Sequence, residues 1–244
     1  MPTATAPPRD ALPLDKEGER IRGMFARVAH RYDFLNRVLS GWIDLIWRRK
    51  LARRLSLPAG SRVLDLCSGT GDQSLALHRR GYRLTAADFC LPMVYRSLPK
   101  FAPLAVPRPQ PLQADALELP FPDRGFDGAT VSFGLRNVAD LDRALGELAR
   151  VVRPGGEIGV LEFTVPLRQP LRGFYLFYFR QILPRIGAWV SGDREAYRYL
   201  PESVLEFPQR EGFLARLAAA GFEQGRFESL SFGILCLYLA RRSQ

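Results

Sequence analysis

Arg62-Val63-Leu64-Asp65-Leu66-Cys67-Ser68-Gly69-Thr70-Gly71-Asp72 runs from a short apolar segment through an aspartate into a Gly-x-Gly turn. The segment that follows, Gln73-Ser74-Leu75-Ala76-Leu77-His78, has a helical look. A strand, a glycine turn and a helix in that order let a ligand lie against bare backbone, as in nucleotide-binding α/β folds. A dinucleotide fingerprint asks for a third small residue and a helix N-terminus open to pyrophosphate. Here that position is Ser74, and Asp72 puts a negative charge where phosphates would arrive. The turn therefore suits a ligand with an adenosine and no phosphate, and it disfavours a dinucleotide oxidoreductase.

Outward from this turn, strand-like and helix-like segments alternate. Candidate strands are residues 62–66, 83–87, 111–114, 126–133 and 157–163, and candidate helices are 72–80, 91–98 and 140–152. Such alternation predicts a parallel sheet with helices on both faces. A helix at 209–220 then leads into two closing strands, 221–229 and 231–240, expected as an antiparallel hairpin at the sheet edge with its turn at Ser229-Leu230. Five prolines between Pro99 and Pro111 predict an irregular surface crossing.

Ligands of open α/β sheets bind at the carboxyl ends of the strands. The first strand supplies Asp65 with Gly69, Thr70 and Gly71. The second ends at Asp88, 17 residues after Gly71, where a carboxylate can accept both ribose hydroxyls. The third ends at Asp115-Ala116, placed for an adenine edge, and the fourth at Ser132-Phe133-Gly134. A lone aspartate after a strand is ordinarily a turn residue or cap. Four such ends in register point instead to S-adenosylmethionine, whose sulfonium is positive.

The chain has 244 residues, 47% of them apolar, enough for one large domain with a core. Its net charge of +10 comes almost wholly from arginine, with Lys16, Lys50 and Lys100 the only lysines. That excess suits an anionic partner, nucleic acid or membrane, and equally reflects a compositional bias. Cys67, Cys90 and Cys236 are odd in number and widely spaced, and His30 and His78 are the only histidines. No disulfide framework or metal centre is expected from such a set. His30, a lone helical histidine, reads as structural or solvated ahead of catalytic. Residues 1–15 carry four prolines and read as a disordered tail. There is no signal-like start, and the longest uncharged run, 229–240, is short of the roughly 20 residues a spanning helix needs. A cytoplasmic protein is expected.

Residues 16–244 read as one domain, with helical segments from Lys16 and from Gly41 to Leu57 forming a cap over 16–57. Residues 165–207 read as an insert rich in aromatics.

Several stretches resemble the C-methyltransferases of menaquinone and ubiquinone biosynthesis over roughly residues 18–240. They are Tyr32-Asp33-Phe34-Leu35-Asn36 onward to Trp47, Leu119-Pro120-Phe121-Pro122-Asp123, and Gly134-Leu135-Arg136-Asn137-Val138. Arg150-Val151-Val152-Arg153-Pro154-Gly155-Gly156 through Leu161-Glu162-Phe163-Thr164, and Tyr197-Arg198-Tyr199-Leu200, complete the set. Asp44 stands where the family usually has histidine. The resemblance implies a class I SAM-dependent methyltransferase: a Rossmann-like, seven-stranded, mostly parallel sheet with an antiparallel edge strand, N-terminal helices and a helical insert. It implies S-adenosylmethionine contacts at Thr70, Asp88, Asp115, Ala116 and Ser132. It also implies C-methylation of a prenylated quinol ring, demethylmenaquinol first and a benzoquinol precursor of ubiquinone as the alternative. Another small-molecule acceptor remains open.

Free phenols ionise near pH ~10, so such a site must support a developing phenolate. Arg136 is the candidate for that support, with the bland reading that it pairs with Asp140 or another carboxylate. Tyr32 and Asn137 are candidates for hydrogen bonds to the ring oxygens, and Tyr32 reads equally as a packing residue. A tailed substrate implies contact with a membrane surface, through the Trp42/Trp47 basic helix or the aromatic run Phe174–Phe179. The same run suits a core or homodimer contact. Nucleic acid is not the expected acceptor. The fourth strand end lacks an Asn/Asp-Pro-Pro-aromatic motif, and no cysteine follows a proline. The Arg136-Asn137 segment argues against a non-catalytic SAM-binding protein.

Overall fold

The computed structural model describes residues 18–182 and 194–244. The tail expected at 1–15 and part of the 165–207 insert lie outside the described residues.

Seven strands form one sheet in the order β3-β2-β1-β4-β5-β7-β6. They are β1 (Arg62–Leu66), β2 (Arg83–Asp88), β3 (Gln110–Gln113), β4 (Phe126–Ser132), β5 (Val152–Phe163), β6 (Phe222–Leu230) and β7 (Leu235–Arg242). Pairings among β1 to β5 are parallel. The antiparallel pairings lie at one edge, where β7 runs between β5 and β6. The hairpin turn falls at Ser231–Ile234 because Leu230 still pairs with Leu235. Strand order reverses between β1 and β4, so a crevice opens at their carboxyl ends.

Side chains alternate across the sheet. Leu64 and Leu66 join Val131, Leu145, Leu148 and Phe213 on one face. There lie α6 (Leu141–Val151) and α9 (Glu211–Ala219). Val63 joins Leu51, Leu55, Leu77 and Leu161 on the other, under α3 (Ile43–Arg54) and α4 (Asp72–His78). Pro111 sits in β3, an edge strand, where a missing N–H costs no ladder bond. The proline-rich crossing begins later than its prolines suggest, since α5 (Leu91–Phe101) carries Pro99 within its last turn.

Above the crevice lie α1 (Gly18–Val28) and α2 (Tyr32–Ser40), joined by a tight turn at Ala29–Arg31. The insert contributes α7 (Leu171–Phe177), a wider turn at Tyr178–Ile182, and α8 (Arg194–Glu206).

Two of the sequence stretches quoted above serve as clamps. Arg150 donates from Nη1 to Phe121 O (2.7 Å) and Asp123, and from Nη2 to Leu119 O (2.9 Å) and Glu147. Arg153 Nε donates to Asp127 Oδ1 at 2.7 Å.

Candidate active site

At the end of β1 the chain turns through Cys67 at φ 53° into Gly69 and Gly71. Gly69 N–H donates to Asp88 Oδ2 at 2.7 Å, and Cys90 N–H to Asp88 Oδ1 at 2.8 Å. Each carboxylate oxygen therefore keeps acceptor capacity beyond one backbone bond. Burial raises the Asp88 carboxyl above its usual range, while these two backbone donors oppose the shift. Asp88 borders a cavity of about 250 Å³ whose wall also includes Gly69, Asp115, Ala116 and Ser132. Asp115 Oδ1 accepts from Leu117 N–H at 2.9 Å, and Ser132 Oγ donates to Gln73 Oε1 at 3.2 Å.

Asp65, Thr70 and Gly71 do not belong to that wall. Asp65 shares the Val63 face of β1, fully buried, and accepts from Ser74 (2.6 Å) and Thr130 (2.8 Å) hydroxyls. Burial pushes its carboxyl up to about 6 despite those bonds. Gly71 has φ 88°, and a Cβ there would lie 2.5 Å from the Phe101 ring, so the position requires glycine for packing as well as for its backbone. Thr70 turns its hydroxyl toward Asp33 and Lys100.

That hydroxyl belongs to a chain of charges tying α2 to the glycine turn. Lys100 Nζ lies 2.6 Å from Asp33 and 2.9 Å from Asp72. Arg37 lies 2.6 Å from Asp72 and also pairs with Asp44. Burial works against the Asp72 charge, but Lys100, Arg48 and Arg37 outweigh it and hold the carboxyl below its usual range. Asp72 is thus neutralised inside the protein. Asp44 additionally accepts from Ser40 Oγ at 3.1 Å.

A second cavity, about 300 Å³, adjoins the first. Phe25, Tyr32, Phe133 and Asn137 border both. Its other walls are Trp47, Arg48, Arg136, Phe163, Tyr175 and Tyr199, with further residues of α2, of α3 and of the wider turn after α7. Phe133 and Phe163 have ring centroids 4.8 Å apart. The Arg48 guanidinium lies 5.0 Å from the Phe133 centroid and that of Arg136 5.5 Å from Phe163.

Arg136 is buried, and its Nη1 donates to Glu162 Oε2 at 2.9 Å and Phe133 O at 2.6 Å. The carboxylate that meets it is therefore Glu162; Asp140 instead caps α6 by accepting from Arg143 N–H. Arg136 Nε and Asn137 Oδ1 are buried without hydrogen-bond partners among the described residues, as are the Tyr175 and Tyr199 hydroxyls. Burial raises the Tyr32 phenol, opposed by Arg48, an Asn36 hydrogen bond and Arg136. It raises the Tyr175 phenol strongly and pushes Tyr199 up to about 12. Buried polar atoms without partners mark a place where a polar ligand is expected. His30 is exposed and belongs to neither wall; its ring shares a hydrogen bond with Arg27 O.

Glu162, Arg48, Trp47, Phe163, Tyr175 and Tyr199 were not singled out from sequence as site residues. Glu162 had a signal, an acidic residue near the end of an otherwise apolar strand. Trp47 turns inward and donates to Ser231 Oγ at 2.9 Å, so of the two tryptophans proposed at a surface only Trp42 is exposed.

Comparison with known proteins bears on this pair of cavities. The model of the ubiE/COQ5 methyltransferase family matches residues 14–242. The chain belongs to this family. This methyltransferase is 46% identical to the demethylmenaquinone methyltransferase of Thermus thermophilus, over 90% of its own length and 100% of the relative's. It is 40% identical to the ubiquinone/menaquinone biosynthesis C-methyltransferase UbiE of Geobacter sulfurreducens, with 94% and 91% covered. Among solved structures it is similar in fold to the [4+2]-cyclase SpnF, with TM-score 0.69 at 19% identity, covering 96% of this chain and 99% of that one. It is similar also to Haemonchus contortus phosphoethanolamine N-methyltransferase 2 in complex with S-adenosyl-L-methionine. There the TM-score is 0.61 at 14% identity, with 81% and 52% covered. The fold is that of the class I SAM-dependent methyltransferases.

Proposed function

We propose that this methyltransferase moves a methyl group from S-adenosylmethionine to a ring carbon of a prenylated quinol, converting demethylmenaquinol to menaquinol. The observation that carries the reading is the shared wall: two adjoining cavities, of about 250 and 300 Å³, meet at Tyr32, Phe133 and Asn137. The residues of the first cavity fit the donor. Asp88 presents spare acceptor capacity for ribose hydroxyls, and the bare backbone at Gly69 admits close approach. Asp115, Ala116 and Ser132 complete that wall, whereas Asp65, Thr70 and Gly71 are assigned to holding the turn. Bound there, S-adenosylmethionine supplies a methyl group on a positively charged sulfur.

The acceptor side provides flat aromatic surface from Phe133 and Phe163 and donors from Arg136, Asn137 and Tyr32. A quinol carbon becomes nucleophilic as its neighbouring hydroxyl loses a proton, and fixed positive charge lowers the energy of that state. Arg136, anchored by Glu162, keeps an Nε–H for a ring oxygen, and the Asn137 amide and Tyr32 hydroxyl orient the ring.

Apolar side chains exposed near the mouth of this cavity suit a lipid tail. Ile43, itself in the wall, is 41% exposed and Ile46 60%, with Phe174, Phe177 and Phe232 exposed beside wall residues Tyr175, Tyr178 and Ser231. Among the described residues no helix is long and apolar enough to cross a membrane; the contact proposed is peripheral, at the cytoplasmic face. The 40%-identical relatives named for both quinones keep a benzoquinol acceptor as the second reading.

Labelled S-adenosylmethionine offered with reduced demethylmenaquinol, a demethylated ubiquinol precursor and bulk RNA tests the assignment. Transfer to the naphthoquinol is expected; label in RNA alone overturns the reading. Flotation with anionic liposomes checks the membrane contact, and complete absence from the lipid fraction at low salt removes it.

A further inference from the structure

The two arginines of the acceptor cavity differ in how their charge is matched. Arg136 faces a fully buried carboxylate at 2.9 Å. Arg48, only 7% exposed, has no such partner. Asp44 approaches Arg48 Nε to 3.8 Å, beyond hydrogen-bond reach, because its oxygens are taken by Arg37 and Ser40. Among the described residues Arg48 Nε consequently has no hydrogen-bond partner. A buried guanidinium with an idle donor is costly unless something else meets it.

What it faces is informative. The guanidinium sits 5.0 Å from the centroid of Phe133, a ring in the wall between the two cavities. Its charge acts on Tyr32, Asp65 and Asp72 toward their ionised forms, so those groups, with Asp44 and Arg136, are the titrating and charged neighbours of the site.

Resting on the acceptor reading above, we infer that Arg48 is a second acceptor-binding residue, the one that receives the ring oxyanion, while the Arg136–Glu162 pair donates a hydrogen bond without net charge. The ring hydroxyl releases its proton to solvent and the oxygen carries the charge against Arg48. The ring carbon then forms its bond to the methyl as the methyl–sulfur bond breaks, the bonding pair staying on sulfur and S-adenosylhomocysteine leaving uncharged. Finally that carbon's own proton leaves and the oxygen is reprotonated, so one proton is released for each methyl gained. A cation matched at hydrogen-bond distance by Glu162 cannot favour the ionised oxygen as strongly as one whose nearest carboxylate, Asp44, stands 3.8 Å away and is shared with Arg37.

The test uses 1-naphthol, whose neutral and ionised forms absorb at different wavelengths, bound to the full protein with S-adenosylhomocysteine. In the wild type the bound naphthol ionises at lower pH than in free solution. In Arg48→Gln its ionisation constant falls by about 10-fold or more, and Arg48→Lys restores it. S-adenosylhomocysteine affinity measured by calorimetry stays within about two-fold in both, on the scale where ten-fold is 1.4 kcal/mol. Should the glutamine variant lose that affinity, Arg48→Met is measured in its place. Identical ionisation in wild type and the neutral variant, with donor-site affinity intact, overturns the role of Arg48 and leaves the acceptor reading standing. Failure of the wild type to bind any naphthol overturns the acceptor reading, and this inference with it.

Discussion

Arg136 Nη1 and Glu162 Oε2 stand 2.9 Å apart with both side chains sealed from bulk solvent. Glu162 lies near the end of β5 and pairs with Cys236 of β7, so the sheet holds it rigidly. It also accepts weakly from the Arg136 backbone N–H, at 3.4 Å. One carboxylate thus fixes both the backbone and the side chain of the arginine.

Breaking a buried pair strands a charge, at a cost of about 3–5 kcal/mol. Glu162→Gln is therefore expected to lower the unfolding free energy by that order in denaturant titrations, with turnover falling as Arg136 loses its anchor. Arg136→Ala is expected to cut turnover about 100-fold or more. Because Arg136 is absent from the donor-side wall, calorimetry should find S-adenosylmethionine affinity nearly unchanged. Near-normal turnover removes Arg136 from the chemistry.

Asp65 offers a pH test. Its folded pKa, about 6, exceeds the ordinary 3.8, so the folded state holds a proton the unfolded chain releases. A raised carboxyl contributes stability that is present below pH ~4 and lost as pH climbs through about 6. The wild type should lose about 3 kcal/mol from this group over that window. Asp65→Asn has no such loss, so its stability relative to wild type should rise by that order between pH 4 and 7. Parallel curves for the two proteins contradict the assignment.

Gly71 and Gly60 share left-handed backbones, φ 88° and 85°, but only Gly71 has a neighbour in the way of a Cβ. Gly71→Ala is expected to cost about 2–4 kcal/mol, strain plus overpacking against Phe101, whereas Gly60→Ala should cost about 1. Equal costs in chemical denaturation argue that the Phe101 contact is unimportant.

Lys100 borders neither cavity, yet bridges Asp33 of α2 to Asp72 beside the glycine turn. Lys100→Met should weaken S-adenosylmethionine binding by about 3–10-fold through loosened positioning, read by calorimetry. The effect should be mimicked in part by raising salt in the wild type, since Lys100 is one-quarter exposed.

Alternating hydrophobic segments made the parallel sheet legible, and β1 occupies the predicted residues 62–66. Asp88, Asp115, Ala116 and Ser132 could be placed at one crevice because strand ends are local events in the chain. What sequence left hidden was direction. Their spacing points Asp65 and Thr70 at a ligand, and only three-dimensional packing turns one toward Ser74 and Thr130 and the other toward Asp33. In sequence Asp72 is a charge that repels phosphate, and its neutralisation by Arg37 and Lys100 depends on contacts 35 and 28 residues distant. Glu162 and Arg48 stayed unmarked because a partner, or the want of one, is not written in spacing. Asp44 proves to be the carboxylate that Arg37 and Ser40 occupy.

Phe25 and Tyr32 belong to one helical arm, α1 with α2, and each borders both cavities. Their rings meet edge-to-face with centroids 6.1 Å apart. One arm thus roofs both chambers, and a change at either ring alters the donor side and the acceptor side together.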